Sequence, residues 1–212
     1  MLYTELQYFT PIISYSTLIK NTDVDFCIYE NYHRRSFRNR CIIAGANGPI
    51  SLSVPIAGGR NKKAIYKDVR IDYSTDWRQQ HWRSIFSAYG NSPWFFHFAE
   101  SLENLYTQKA DFLVDWNFLC MDWVNRSLGV SMSPLGELGN YWKFSGPLVA
   151  SGEEEIMDWR DKVLPANFQS LELGPFPVYT QVFEERFGFQ PNLSILDFIL
   201  CCGKQQFNRL LK

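Results

Sequence analysis

The sequence lacks the short motifs that identify several large enzyme classes. It contains no G-x-G-x-x-G for dinucleotides, no G-x-x-x-x-G-K-[ST] for nucleotide phosphates and no G-x-S-x-G around a nucleophilic serine. Its 3 histidines are scattered, and its 5 cysteines lack the paired spacing of a metal site. Neither a metal nor a cofactor is therefore expected.

An excess of one charge and long apolar runs are also missing. The 21 lysines and arginines oppose 22 acids, so the net charge of -1 gives no global field that would attract nucleic acid. No apolar run approaches the ~20 residues of a membrane-spanning helix, and the N-terminus has no signal-peptide pattern. We therefore expect a reduced, cytoplasmic protein with no nucleic-acid partner and no membrane insertion. Its oligomeric state is left open.

The chain length suits one folding unit. A chain of 212 residues hides roughly 70% of its unfolded surface when it folds as one domain. We predict a single domain over residues 1–212, with an irregular or mobile loop at 131–152, where prolines and glycines are concentrated.

Apolar periodicity predicts a helix near the N-terminus and several strands after it. Helical spacing over 12–20 precedes the alternation of a strand that begins at Val24. The dipeptide Asn47-Gly48 lies between two β-rich runs, which predicts a tight hairpin. Alternation over 65–72 predicts a third strand, in the same antiparallel sheet.

From Asp76 onward the period becomes helical. Asp76 is expected to cap a helix that ends at a left-handed Gly90, and Ser194 with Asp197 resembles a capping box at the last helix. Further helices are predicted over about 94–106 and 110–128 and within 152–165. The fold class is therefore α+β: an antiparallel sheet with its hairpin at Asn47-Gly48, packed against an aromatic-rich helical layer. The alternative is an α/β core with a parallel N-terminal unit.

The segment "ENYHRRSFRNRC" concentrates positive charge in an otherwise balanced chain. Four arginines fall within seven positions, and either a strand or a helix brings at least two of their guanidinium groups together. Converging guanidiniums gain stability when a phosphate or carboxylate accepts their forked hydrogen bonds. We predict a site for an anionic small molecule or sugar-linked substrate at Arg34, Arg35, Arg38 and Arg40. The alternative is a structural ion network with Glu30, Asp68 and Asp72.

A second constellation is the helix segment that carries Trp77 and His81. Because they are four residues apart, the two side chains share one helix face. An imidazole whose ordinary pKa is ~6.5 can take a proton from an attacking amine or hydroxyl near neutral pH. His81 is the candidate catalytic base, and the alternative is a structural histidine beside a tryptophan.

The order of several motifs resembles the WbqC-like protein family over nearly the whole chain. The motifs are the arginine-rich segment with "SLSVPI", then "KDVRID", "WRQQHWRSIFSAYG" and the terminal "NLSILDFILCCG". Many members begin with a Gln-Pro and Tyr-Phe-Pro-Trp stretch, of which "LQYFTPIISY" keeps only an outline. Members are associated with bacterial surface polysaccharide, such as O-antigen.

The resemblance implies a function and a set of site residues. The function is a small-group transferase that moves glycine, another aminoacyl group or an acyl group onto a sugar. The alternative is a non-catalytic binding or scaffold protein for an anionic sugar intermediate of the same pathway. The ligand-binding residues it implies are Arg34, Arg35, Arg38, Asn39, Arg40, Asp72, Trp77, Tyr179 and Gln181, with His81 as the base. Asp197 also matches a motif and is expected to serve the fold.

Overall fold

The structure is a computed structural model that describes residues 1–21, 23–58, 64–130, 142–143 and 156–207. The predicted loop at 131–152 lies outside the described residues, apart from the short strand at 142–143. The strands are β1 (Leu2–Thr4), β2 (Val24–Phe26), β3 (Arg40–Ile43), β4 (Ile50–Ser53), β5 (Trp142–Lys143) and β6 (Met157–Asp158). The α-helices are α1 (Ile12–Lys20), α2 (Trp77–Tyr89), α3 (Phe95–Thr107), α4 (Leu113–Leu128), α5 (Glu184–Phe187) and α6 (Ile195–Cys202).

Four short strands form a parallel sheet in the order β5, β2, β1, β6. Helix α1 makes the crossover between β1 and β2, and its bounds match the helix predicted over 12–20. The sheet therefore contains the parallel N-terminal unit of the alternative prediction. Strands β1 and β6 are only three and two residues long, too short for a recognisable alternation in the sequence.

The predicted hairpin at Asn47-Gly48 is confirmed. Strands β3 and β4 pair antiparallel from Arg40 opposite Ser53 to Ile43 opposite Ile50, and Gly48 has a positive φ of 110° in the turn. The third strand expected over 65–72 is wrong. A 3-10 turn at Tyr66–Asp68 interrupts it, and only isolated bridges remain around that turn.

The α+β class is confirmed, and helices α2, α3 and α4 form the predicted aromatic layer. Trp77 lies edge-on to Trp116 with ring centroids 5.3 Å apart, and Phe98 lies edge-on to Trp123 at 6.1 Å. Helix α6 is buried along its entire length. Phe86 of α2, although aromatic, is 54% exposed.

Several details at the helix ends differ from the sequence predictions. Asp76 precedes α2 but makes no capping hydrogen bond, and Gly90 has a right-handed φ of -54°. Gly129 follows the helix predicted over 110–128 and ends α4 in the left-handed conformation. Ser194 caps α6, whereas Asp197 accepts hydrogen bonds from side chains of other elements. The helix expected within 152–165 is absent from its described part, where β6 and turns are found.

Candidate functional site

The carboxyl ends of the parallel strands bring distant charged residues together. Glu5 directly follows β1, Glu30 lies four residues beyond β2, and Arg160 and Asp161 come just after β6. Because parallel strands place their carboxyl ends at one edge of a sheet, these side chains meet there. They surround Arg38, which lies two residues before β3.

Arg38 is a buried cation among three carboxylates. Its side chain is 1% exposed, and its Nη1 lies 3.6 Å from both Glu5 Oε1 and Asp161 Oδ1. Its Nη2 lies 3.6 Å from Glu30 Oε2. At this distance the ions attract each other, but the geometry is too long for a direct hydrogen bond. The guanidinium also lies over the ring of Tyr66, 5.6 Å from its centroid.

Glu5 is the most deeply buried acid of this group. Desolvation raises its pKa from 4.5 to about 7, and the charge of Arg38 acts in the opposite direction. Its Oε2 accepts a hydrogen bond from Gln7, which in turn accepts one from Thr10. Oε1 accepts a hydrogen bond from the backbone N–H of Asp161. Glu5 is therefore a carboxyl group that exchanges a proton near neutral pH.

Arg160 is the second arginine that contacts this group of carboxylates. Its guanidinium donates to both carboxylate oxygens of Asp158, at 2.9 and 2.6 Å, and also to Glu30. These hydrogen bonds lower the pKa of Asp158. Glu30 is thus shared between the two arginines, with Arg160 at its Oε1 and Arg38 at its Oε2.

On its other side, Arg38 contacts the ring of Tyr66. That ring stacks on the ring of Tyr32, with centroids 6.3 Å apart, and Tyr32 lies among the arginines. Burial raises the pKa of the Tyr32 hydroxyl, while the positive charges of Arg34, Arg40 and Arg38 oppose that shift. Three of the four predicted arginines therefore act on one hydroxyl group, and the structure brings them together.

Buried polar atoms without hydrogen-bond partners are concentrated in this part of the chain. Among the described residues, ten buried side-chain polar atoms have no hydrogen-bond partner, and five of them belong to residues 32–40. They are the Tyr32 hydroxyl, Nε and Nη1 of Arg38, Oδ1 of Asn39 and Nε of Arg40. Because buried polar groups nearly always have partners, such a concentration indicates a site that receives polar atoms from a ligand or from water.

A cavity of about 440 Å³ opens beside Tyr32. Arg34 and Arg70 contribute its positive charge and Asp68 a carboxylate, while Ile56 and Val69 are among its apolar walls. The volume lies within the range of small-molecule sites, and an apolar pocket with a few polar groups is their usual construction. We call Tyr32, Arg34, Arg38 and Arg40 together the arginine cluster.

The structure places His81 and Trp77 in the core, away from this cavity's lining. His81 is 5% exposed, its Nδ1 lies 3.0 Å from the Tyr8 hydroxyl, and its ring donates to the backbone carbonyl of Ser53. Burial lowers its pKa to about 4, so the ring is neutral near pH 7. The role of His81 as a base stays a prediction.

The remaining predicted residues lie in three other settings. Tyr179 and Gln181 both donate to Asp197, at 2.6 and 2.9 Å, in a buried network with Tyr89. Asp72 closes a turn by accepting from the Ser74 N–H, which lowers its pKa. The last two predicted residues, Asn39 and Arg35, lie in the arginine-rich segment. Asn39 donates a hydrogen bond to the Val54 carbonyl, and the Arg35 side chain is exposed.

Sequence reasoning missed Tyr32, Glu5, Arg160 and Asp161. The three charged residues follow strands too short to be recognised, so their shared position at the sheet edge could not be inferred. The structural-network alternative holds for the contact between Arg38 and Glu30. Asp68, which that alternative also invoked, pairs with Lys67. Among the described residues, no group of three or more His, Cys, Asp or Glu side chains is arranged to hold a metal ion.

The chain belongs to the WbqC-like protein family, whose family model matches residues 7–137. The match includes α1, the arginine cluster, the hairpin and helices α2 to α4. No curated protein and no solved structure matches the chain. In the part of the chain that the structure describes, no helix has the length and apolarity needed to cross a bilayer.

Proposed function

We propose that this protein is a small-group transferase that acts on a sugar in bacterial cell-surface polysaccharide synthesis, and that its arginine cluster binds the anionic part of a substrate. The observation that carries the proposal is the set of buried donors that have no acceptor among the described residues: the Tyr32 hydroxyl, Nε of Arg38 and Nε of Arg40. A phosphate or carboxylate supplies several acceptor oxygens at once. The adjoining cavity has room for the uncharged part of such a molecule.

The family supports the pathway context, and the geometry supports the anion. In an aminoacyl or acyl transfer, the acceptor must lose a proton and the donor must be held in place. The arginine cluster supplies the holding groups. Glu5, with its pKa near 7, is a proton-accepting group that lies 3.6 Å from Arg38.

A second candidate function is non-catalytic binding of an anionic sugar intermediate. The observation that favours it is the burial of His81 in the core, where its Nδ1 is hydrogen-bonded to Tyr8. A binding protein needs the arginine cluster and does not need a base. Mass spectrometry separates the two candidates, because a transferase adds the mass of the transferred group to the sugar when it is incubated with both substrates.

The substitution Tyr32→Phe tests the anion site. Removing a buried hydroxyl that has no partner leaves the free energy of unfolding within about 0.5 kcal/mol, whereas a lost hydrogen bond to a charged ligand weakens binding by about 1.5 kcal/mol or more. The probes are inorganic phosphate, nucleotide sugars and aminoacyl donors, detected as shifts of the melting temperature. Arg34→Ala should weaken the same binding.

The matched control is Arg35→Ala, which removes an exposed arginine one residue away from Arg34. It should leave both stability and binding close to those of the natural chain. Anion binding that is equally strong in all three variants would show that the anion binds elsewhere. No stabilisation by any of the anionic probes would reject the site.

A further inference from the structure

The acidic side of the cluster carries more negative charge than its arginines neutralise. Four carboxyl groups, those of Glu5, Glu30, Asp158 and Asp161, meet two guanidiniums, those of Arg38 and Arg160, so three carboxylates face two guanidiniums even when Glu5 is protonated. Both guanidiniums are already surrounded by these carboxylates. Excess charge is costly where water is partly excluded, and a bound cation removes that cost.

Two of the carboxylates are accessible to a ligand. The side chain of Asp161 is 43% exposed and that of Glu30 is 32% exposed, whereas that of Glu5 is fully buried. Asp161 and Glu30 both lie within 3.6 Å of the Arg38 guanidinium. A ligand that approaches from solvent therefore meets these two carboxylates first, with Arg38 between them.

An independent observation indicates that the ligand also carries an acceptor. Nη1 of Arg38 is buried and has no hydrogen-bond partner among the described residues, although it lies between the carboxylates of Glu5 and Asp161. A simple cation would leave this N–H unpaired. A hydroxyl oxygen next to the cationic group would accept from it, so a molecule with an amine and a neighbouring hydroxyl fits both observations.

We propose that Glu30, Arg38 and Asp161 form a subsite for an amino sugar, in which the carboxylates bind the ammonium group and Arg38 donates to an adjacent hydroxyl. The inference rests on the proposed function, because it names the sugar that the transferase binds. The raised pKa of Glu5 agrees with it, since the burial of that carboxyl outweighs the opposing charge of Arg38. An amine at Asp161 supplies a further cation.

The test compares free glucosamine, glucose, their phosphate esters at one position and inorganic phosphate, by isothermal titration at a slightly acidic pH where the amine is charged. We expect glucosamine phosphate to bind about ten-fold more tightly than glucose phosphate, as one charge-assisted hydrogen bond provides. The substitution Asp161→Asn should abolish this preference. Asp161 has a φ of 53°, which asparagine tolerates, so the variant should fold.

The control variant is Asp76→Asn, which removes an exposed carboxylate that caps no helix. It should keep the preference for the amine. Equal affinities for the amino sugar and its hydroxyl counterpart, or a preference that survives Asp161→Asn, would overturn the subsite.

The probes separate this subsite from the anion site. If glucosamine binds in an Asp161-dependent way while no phosphate does, the subsite stands and the anion site fails. If phosphates bind but the amine adds nothing, the anion site stands and the subsite fails. If none of the compounds binds, both are rejected.

Discussion

At the scale of single residues, Arg38 has a structural role beside the binding role that we propose for it. The sequence predicted an anion-binding arginine or a member of an ion network, and the structure gives a side chain that is 1% exposed among three carboxylates. Such a group is strongly coupled to its partners, because removing it leaves the buried carboxyl of Glu5 without a counter-ion. Its two nitrogens without hydrogen-bond partners in the described chain still offer donors to a ligand.

Replacement of Arg38 should therefore destabilise the fold as well as weaken binding. We expect Arg38→Ala to reduce the free energy of unfolding by about 3 to 5 kcal/mol, measured by urea denaturation. Exposed Arg35, changed to Ala, should cost less than about 0.5 kcal/mol. If the two variants were equally stable, other groups would have to neutralise the negative charge of the carboxylates around Arg38.

Glu5 should make the protein less stable as the pH rises. Because its folded pKa is raised from 4.5 to about 7, its stabilising contribution is fully present below about pH 4.5 and is lost as the pH rises through about 7. In Glu5→Gln this loss should disappear, so its denaturation midpoint falls less between about pH 5 and 8 than that of the natural chain. The exposed Glu172, changed to Gln, serves as the control. Parallel pH curves for Glu5→Gln and the natural chain would contradict the raised pKa.

His81 should give the opposite pH dependence. Its folded pKa is lowered from 6.5 to about 4, so its stabilising contribution is present above about pH 6.5 and is lost as the pH falls through about 4. The variant His81→Gln stays neutral and should lose less stability on acidification. Denaturation midpoints between about pH 4 and 7 measure the difference. If His81→Gln and the natural chain lose the same stability on acidification, His81 is charged in the folded protein.

At the scale of elements, helix caps show where the sequence was informative and where it was not. Ser194 accepts from the Leu196 N–H and donates to the Phe9 carbonyl, so it joins α6 to the N-terminal segment. Asp76 has the same kind of position before α2 but makes no capping bond. Local sequence placed both helix starts well. It could not show which side chain has a partner, because a partner such as Phe9 is distant in sequence.

The two caps should therefore respond differently to alanine. We expect Ser194→Ala to cost about 1 to 2 kcal/mol of unfolding free energy, since it removes a capping bond and leaves the Phe9 carbonyl without its hydroxyl donor. Asp76→Ala should stay within about 0.5 kcal/mol. Urea denaturation of both variants checks the contrast, and a loss at Asp76 as large as that at Ser194 would contradict the absence of a cap there.

The same contrast explains which parts of the fold and site were predictable. The bounds of α1, the hairpin turn and the end of α4 at Gly129 depend on local periodicity and on glycine's tolerance of positive φ. The spacing predicted that a strand or a helix would bring at least two guanidiniums together, whereas the segment from 34 to 39 consists of turns and bends. The parallel sheet and the contacts of Arg38 with Glu5 and Asp161 depend on pairing between separate strands, which no local pattern records; β1 and β6 are more than a hundred residues apart.

At the scale of the whole molecule, the region matched by the family model packs against segments that lie outside the match. The match covers residues 7–137 and leaves out β1, β6 and α6. Helix α6 is buried along its length, and its Asp197 accepts from Tyr89 of α2 and from Tyr179. Strand β6 brings Asp161 to Arg38. We therefore propose that the chain forms one domain that includes both ends.

A fragment limited to residues 7–137 should consequently fail to fold cooperatively. Loss of α6 uncovers the apolar groups packed on it, and burying one large apolar side chain is worth about 1.5 to 3 kcal/mol, so the loss of several exceeds the usual stability of a domain. Far-ultraviolet circular dichroism during urea titration should show a sigmoidal transition for the full chain and a gradual change for the fragment. A single substitution in α6, Phe198→Ala, should lower the full chain's free energy of unfolding by about 3 to 5 kcal/mol and keep the sigmoidal shape. A fragment that unfolds with the midpoint of the full chain would show that residues 138–212 form a separate unit.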